Sequence, residues 1–126
     1  MDDIVKIIGC LLGFFAVLLG AFAAHRLKRV WSAEALQSFE TGVRYQMYHA
    51  IVLLLLGFQL GFSNPAERMA AYCFIAGTLL FSGSIYLLCY ASENRLRLRL
   101  LGPMTPLGGL LLLTGWALLL YLFLPF

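Results

Sequence analysis

The chain has 126 residues, of which 62% are hydrophobic and 12% charged, with a net charge of +3. Soluble domains average roughly 45 to 50% apolar and about 25% charged, so the composition excludes an ordinary water-soluble globule and names lipid as the solvent. The small positive balance does not imply nucleic acid, because in a membrane chain the placement of Lys and Arg matters more than their sum.

Four runs lack Asp, Glu, Lys and Arg altogether: Ile7 to Ala24, Tyr45 to Phe62, Met69 to Ser92 and Leu100 to Phe126. A bilayer core takes roughly 20 apolar helical residues, and only helices or closed barrels satisfy their backbone groups there. The fold read from this is an all-α membrane protein, one domain over 1–126, with four transmembrane helices in an antiparallel bundle. The spans fall at about 4–24, 45–62, 69–90 and 107–124.

The first run carries Gly9, Gly13, Ala16, Gly20 and Ala24 at steps of three and four, a small-residue seam that lets another helix approach closely. Ala21-Phe22-Ala23 has the form of a cleavage site, but the leader is acidic and the apolar run exceeds a signal core. Ile7-Ile8-Gly9-Cys10 has the form of a lipoprotein site without an apolar segment before it. The first helix is therefore expected in the mature chain.

From His25 to Arg44 lies the one substantial non-spanning segment. Trp31, Ala35, Phe39 and Val43 recur every four residues, Ser32 can cap a helix start, and Glu40 stands four before Arg44. An amphipathic cytoplasmic helix at the interface explains the pattern. A continuous helix from Ala33 into the second span, bent at Gly42, explains it too.

The second run has Gly57 and Gly61 as packing positions, and its face of Thr41, Tyr45, Tyr48, His49 and Val52 is the most polar of any span. Asn64-Pro65-Ala66-Glu67 then marks a tight hairpin, with Asn64 as N-cap, Pro65 first in the helix and Glu67 returning a bond to the cap. The third run offers Ala70, Cys73, Gly77 and Ser84 as small positions. Before the fourth, Pro103 and Pro106 forbid a helix running straight through from Arg99. Thr105 is expected as its cap and Pro106 as its first residue. The first and third helices share a direction and a basic sequel, but identities between the halves are too few for a duplication.

Arg26, Lys28, Arg29 and Arg44 follow the first run, and Arg95, Arg97 and Arg99 follow the third, against only Lys6 and Arg68 on the other side. The positive-inside rule places the two basic connections in the cytoplasm and both termini outside it.

Chemistry-bearing residues are sparse. Cys10, Cys73 and Cys89 stand singly, with no C-x-x-C and no His at ligand spacing, so neither a metal nor a cofactor is implied. Phosphate loops, H-E-x-x-H and G-x-S-x-G are absent. No span holds a carboxylate, which disfavours a proton-coupled exporter. His49, about a turn inside the cytoplasmic boundary, is either a ligand or proton contact or a neutral histidine bonded to a neighbouring helix. His25 reads as an interface residue. Arg95, Arg97 and Arg99 beside the start of the fourth helix can attract anionic lipid headgroups or simply set orientation.

The motifs together resemble a known family. Gly20-Ala21-Phe22-Ala23-Ala24-His25, Thr41 to Gln46 with Tyr48-His49-Ala50, Gly83-Ser84-Ile85-Tyr86, Thr105 to Gly109 after Gly102, and Gly115-Trp116 resemble the YgdD family. These are small bacterial inner-membrane proteins of unknown function with small eukaryotic transmembrane relatives. Ala23 departs from the Gly expected there. The resemblance implies a multi-pass protein of the bacterial plasma membrane and no settled activity. It marks His25, Tyr45, His49, Thr105, Pro106, Gly108 and Gly109, which with Tyr48 make a candidate pocket at the cytoplasmic side. Gly9, Gly13, Gly20, Gly57, Gly61 and Gly77 are the candidate packing positions.

Three functional classes follow. A non-catalytic component that binds a membrane partner or a second copy comes first. A binder or transporter of a lipid, anion or small solute comes second, and an enzyme with His49 as acid or base third.

Overall fold

The computed structural model describes residues 1–97 and 99–125; Leu98, Phe126 and the side chain of Arg99 lie outside the described residues. Four long helices carry the chain: α1 (Asp2–Val30), α2 (Ala33–Gln59), α3 (Pro65–Glu93) and α4 (Met104–Phe123). No strand occurs among the described residues. Three of the helices, α1, α3 and α4, are long and apolar enough to cross a membrane by length and composition.

Asp2 and Asp3 open α1, where their charge complements the helix dipole, and Lys6 reaches both at 3.6 and 3.2 Å. The helix runs regularly to Phe22, loosens into a π-helical turn over Ala23–Leu27 and ends in one further turn at Val30. Trp31 is extended, and Ser32 caps α2 by accepting the Ala35 N–H at 3.2 Å.

No separate helix therefore lies between α1 and α2. Residues up to Val30 belong to α1, and those from Ala33 begin a 27-residue helix that continues through Gly42 without interruption. The face of Trp31, Ala35 and Phe39 packs on other parts of the protein. Phe39 is buried beside Ala23, Leu27 and Cys89, with the Trp31 ring edge-on at 5.6 Å. An amphipathic pattern records one apolar face and not what covers it. Gly42 is no bend. It is the place where the Tyr86 ring comes so close that an added Cβ would lie 2.8 Å from it.

α2 ends at Gln59, and Leu60 to Asn64 turn the chain. Phe62 is buried with φ 55°, and Arg68 braces the turn by donating to the carbonyls of Phe62 at 2.7 Å and Ser63 at 3.1 Å. Gly61 sits in this turn, with nothing within 4 Å of where its Cβ would be, so it is not a helix-packing position. Asn64 caps α3 through the Ala66 N–H at 2.8 Å. Glu67 does not complete a capping box: its backbone N–H bonds to the Asn64 carbonyl, while its Oε2 is buried without a partner.

α3 closes with the Leu96 N–H bonded to the Ala91 carbonyl and Arg95 left-handed at φ 56°, a Schellman turn with Arg where Gly is usual. α4 starts earlier than the proline pattern suggested. Pro103 occupies the cap and Pro106 sits in the first turn, where its missing N–H costs nothing. Thr105 is consequently free of capping, and its hydroxyl meets that of Ser84 on α3 at 2.5 Å.

Consecutive helices pack on one another, α3 with α4 and α1 with α2 most extensively, then α2 with α3. Ascending one helix means descending the next: Gly9 faces Ala50 while Gly20 faces Val43, and Gly115 faces Phe74 while Gly108 faces Phe81. Glycines set the closest approaches. A Cβ on Gly108 would collide with the Phe81 backbone, one on Gly77 would lie 2.9 Å from Leu112, and one on Gly57 would lie 2.5 Å from Lys6. In lipid, such close packing substitutes for the hydrophobic drive that water would supply.

Candidate functional site

On α2, Tyr45 and His49 stand one turn apart. On α4, Pro106, Gly109, Leu113 and Trp116 follow at steps of three, four and three, so they share a face. With Phe81 of α3 behind them they enclose a lateral groove of about 590 Å³. Gly109 keeps it open, since a Cβ there would only just touch the Phe81 ring at 3.8 Å. Aromatic rings form part of the walls: Phe81 lies 4.9 Å from the Tyr45 ring, and Trp116 is backed edge-on at 5.4 Å by the buried Phe74.

His49 is 4% exposed and has both ring nitrogens occupied. Nδ1 lies 2.7 Å from the Tyr45 carbonyl, which can only accept, and Nε2 lies 3.2 Å from the Trp116 indole nitrogen, which can only donate. These two partners require a neutral imidazole protonated at Nδ1. The ring is thereby held as a bridge between α2 and α4, with no free nitrogen to offer a proton or a substrate.

A second cavity of about 530 Å³ opens beyond Pro106, at the end of the molecule that carries Arg95 and Arg97. Ser32, Glu34, Ser38, Ser92 and Thr105 supply its polar wall, and Ile85, Leu88 and Cys89 its apolar one. Glu93 organises the rim by accepting from the Ser32 hydroxyl at 2.6 Å and from its backbone N–H at 2.9 Å. Pro106 lines both spaces, so the hydroxyl-rich cavity and the apolar groove adjoin.

The residues singled out in the sequence are only partly brought together. Tyr45, His49, Pro106 and Gly109 line the groove, and Thr105 faces the polar cavity. Tyr48 is exposed beside Tyr45, 5.7 Å away ring to ring. Gly108 is spent on the contact with Phe81. His25 lies exposed on the π-helical turn of α1 and borders neither space, because α1 packs on α2 and not on α4. Arg95 and Arg97 are exposed on the connection after α3. Of the packing positions, Gly9, Gly57 and Gly77 make tight contacts, Gly20 and Gly13 ordinary ones at 3.4 and 3.8 Å.

Two features went unread. Trp116 was noted only as a match, although its spacing from Gly109 and Leu113 puts it on the groove face. A buried polar network was also missed: Tyr86 donates to Gln46 Oε1 at 2.7 Å, Gln46 Nε2 to the Leu12 carbonyl at 2.8 Å and Ser82 to the Gly42 carbonyl at 2.7 Å. Its signal was the four-residue step from Thr78 to Ser82 to Tyr86 inside an apolar run. Among the described residues no His, Cys, Asp and Glu cluster is arranged to hold a metal ion.

The family described as "Protein of unknown function (DUF423)" matches residues 19–109 of this chain. The chain belongs to the DUF423 family. A UPF0382 membrane protein of Haemophilus influenzae is 41% identical over 109 residues, covering 86% of this chain and 84% of its own. The UPF0382 membrane protein C1782.12c of Schizosaccharomyces pombe is 38% identical, covering 87% and 92%. YwdK of Bacillus subtilis, another UPF0382 membrane protein, is 37% identical and covers 87% of each. No solved structure matches. The sequence resemblance to membrane proteins of unknown function thus holds at family level in bacteria and fission yeast, and this DUF423 chain is a membrane protein. The family match takes in Tyr45, His49, Phe81, Pro106 and Gly109 of the groove and stops before Leu113 and Trp116.

Proposed function

We propose that this DUF423 protein is a single four-span domain that binds an amphiphile without catalysis, holding a lipid headgroup in the polar cavity and an apolar chain in the groove. One observation carries the reading: the two spaces adjoin at Pro106 and change from hydroxyl-lined to aromatic and aliphatic along α4. That gradient matches the chemistry of a lipid molecule. His49 supports a non-catalytic role, since both of its nitrogens are engaged.

α2 serves as the fourth span. α1 finishes at the basic end and α3 starts at the opposite one, which supports a crossing between them. The 27 residues of α2 cover about 40 Å at about 1.5 Å each. With the basic connections in the cytoplasm, the antiparallel bundle has both termini outside, in the plasma membrane of a bacterium. Arg95 and Arg97 then stand at headgroup level and favour an anionic lipid.

Assembly with a partner or a second copy through the small-residue seams has less support. Gly9, Gly57, Gly77, Gly108 and Gly115 are filled by the chain's own residues.

Native mass spectrometry of the purified protein tests the reading. A retained lipid is expected, lost when Gly109→Phe fills the groove; equal retention by wild type and variant would sink it. Replacing Arg95, Arg97 and Arg99 with Gln should lower the anionic share of that lipid and leave its total unchanged. A reporter fused after Phe126 that works only in the cytoplasm would overturn the orientation separately.

A further inference from the structure

A different cleft lies between α1 and α3. Thr78, Ser82 and Tyr86 of α3 and Gln46 of α2 form its floor, and Leu12 and Phe15 belong to its α1 wall, around about 250 Å³. Phe15 and Leu79 at its sides are exposed, so it opens to the lipid. Gly83 leaves the α3 wall indented, with nothing within 4 Å of where a side chain would begin.

Most of the floor is satisfied. Tyr86 is bonded to Gln46, Gln46 to the Leu12 carbonyl and Ser82 to the Gly42 carbonyl. Thr78 is the exception. The residue is 2% exposed, and its Oγ1 is buried with no hydrogen-bond partner in the protein. Residues in a helix can leave a hydroxyl idle at the water surface, but in hydrocarbon an unpaired one is costly. The Gln46 amide also has one more N–H than its bond to Leu12 uses.

We propose that this cleft binds a neutral, bilayer-dissolved molecule that presents a carbonyl oxygen from a small apolar ring, the chemistry of a quinone headgroup. Neutrality follows from the walls, which hold no charged side chain to compensate an ion. The acceptor follows from the unspent groups, Thr78 O–H and the second Gln46 N–H, both donors. The ring follows from the space: about 250 Å³ takes one substituted ring and not a two-chain lipid. A saturated acyl chain would fit the walls and leave Thr78 unpaired.

Decylubiquinone serves as the probe, titrated against the protein in phosphatidylcholine nanodiscs and read as retained quinone per chain. Saturable retention of one molecule is expected. Thr78→Val, which keeps the shape and removes the hydroxyl, should weaken it about fivefold, the equivalent of one hydrogen bond. Gly83→Leu should abolish it by filling the wall, and dodecane, which has no oxygen, should not compete. Absent saturation, equal affinity in Thr78→Val, or competition by dodecane would each overturn the assignment. Lipid retained by the same preparations in detergent before reconstitution, read by native mass spectrometry, reports on the groove at Pro106. It should be the same in wild type and Thr78→Val, so failure of one site is separable from failure of the other.

Discussion

The two lipid-side openings flank the same α2–α3 contact and treat their polar groups in opposite ways. In the groove between α2 and α4, His49 has each nitrogen matched to a group that can play only the complementary part. In the cleft between α1 and α3, Tyr86, Gln46 and Ser82 are matched and Thr78 is left over. The difference teaches that a polar residue in a span is not by itself a functional mark. His49, the more conspicuous in the sequence, is consumed in joining helices, whereas the inconspicuous threonine retains bonding capacity.

Four substitutions sharpen or break this contrast. The largest effect belongs to Gly108→Leu, whose side chain would strike the Phe81 backbone and drive α4 off α3. A loss of about 3 kcal/mol or more is expected, seen as a collapsed thermal transition and rapid proteolysis in detergent. Full stability would mean the groove wall is not built on that crossing. His49→Leu comes next. It keeps bulk, orphans the Trp116 N–H and should cost about 1 to 2 kcal/mol, with a shift in tryptophan emission. An unchanged melting curve would mean the bridge between α2 and α4 does not form.

Thr78→Val should move the other way. Removing an unpaired buried hydroxyl is expected to raise stability by about 1 kcal/mol in the absence of ligand. A loss instead would show that Thr78 is already paired and would erase the difference between the two openings. Ser82→Ala is the smallest test. Its bond to the Gly42 carbonyl joins α3 to α2; bonds between membrane helices average about 0.6 kcal/mol, and a thermal shift of that order is expected. An effect as large as that of His49→Leu would place the weight of the polar network in the wrong pair.

Much of the helix framework was legible, and for identifiable reasons. Ser32 and the Asn64-Pro65 pair are local signals, since caps and first-turn prolines depend on a few neighbouring backbone groups. What failed depended on distant partners. The Trp31, Ala35 and Phe39 stripe fits a membrane surface as well as it fits α1 and α3, so the sequence left one helix and two equally open where the structure has one. Thr105 looks like a cap until Ser84 offers its hydroxyl a better partner across 21 residues. Gly61 shares the spacing of Gly57 but falls beyond the helix end. His25 and His49 both match motif positions and were placed in one candidate pocket, yet the pairing order α1 with α2 and α3 with α4 leaves His25 exposed on α1 and away from the groove that His49 lines. That order is a tertiary fact, and no spacing within a single helix encodes it.

The His49–Trp116 bond also has a meaning in time. The extensive contacts join consecutive helices, so each new helix can dock on its predecessor as the chain is made. His49 instead waits for a donor 67 residues later in the chain, which arrives only with the last span. Without that donor, Nε2 has no other hydrogen-bond partner among the described residues. The bond is thus a closing clasp, made once the final helix is seated. A chain truncated before Trp116 would leave unpaired an acceptor that the full chain satisfies.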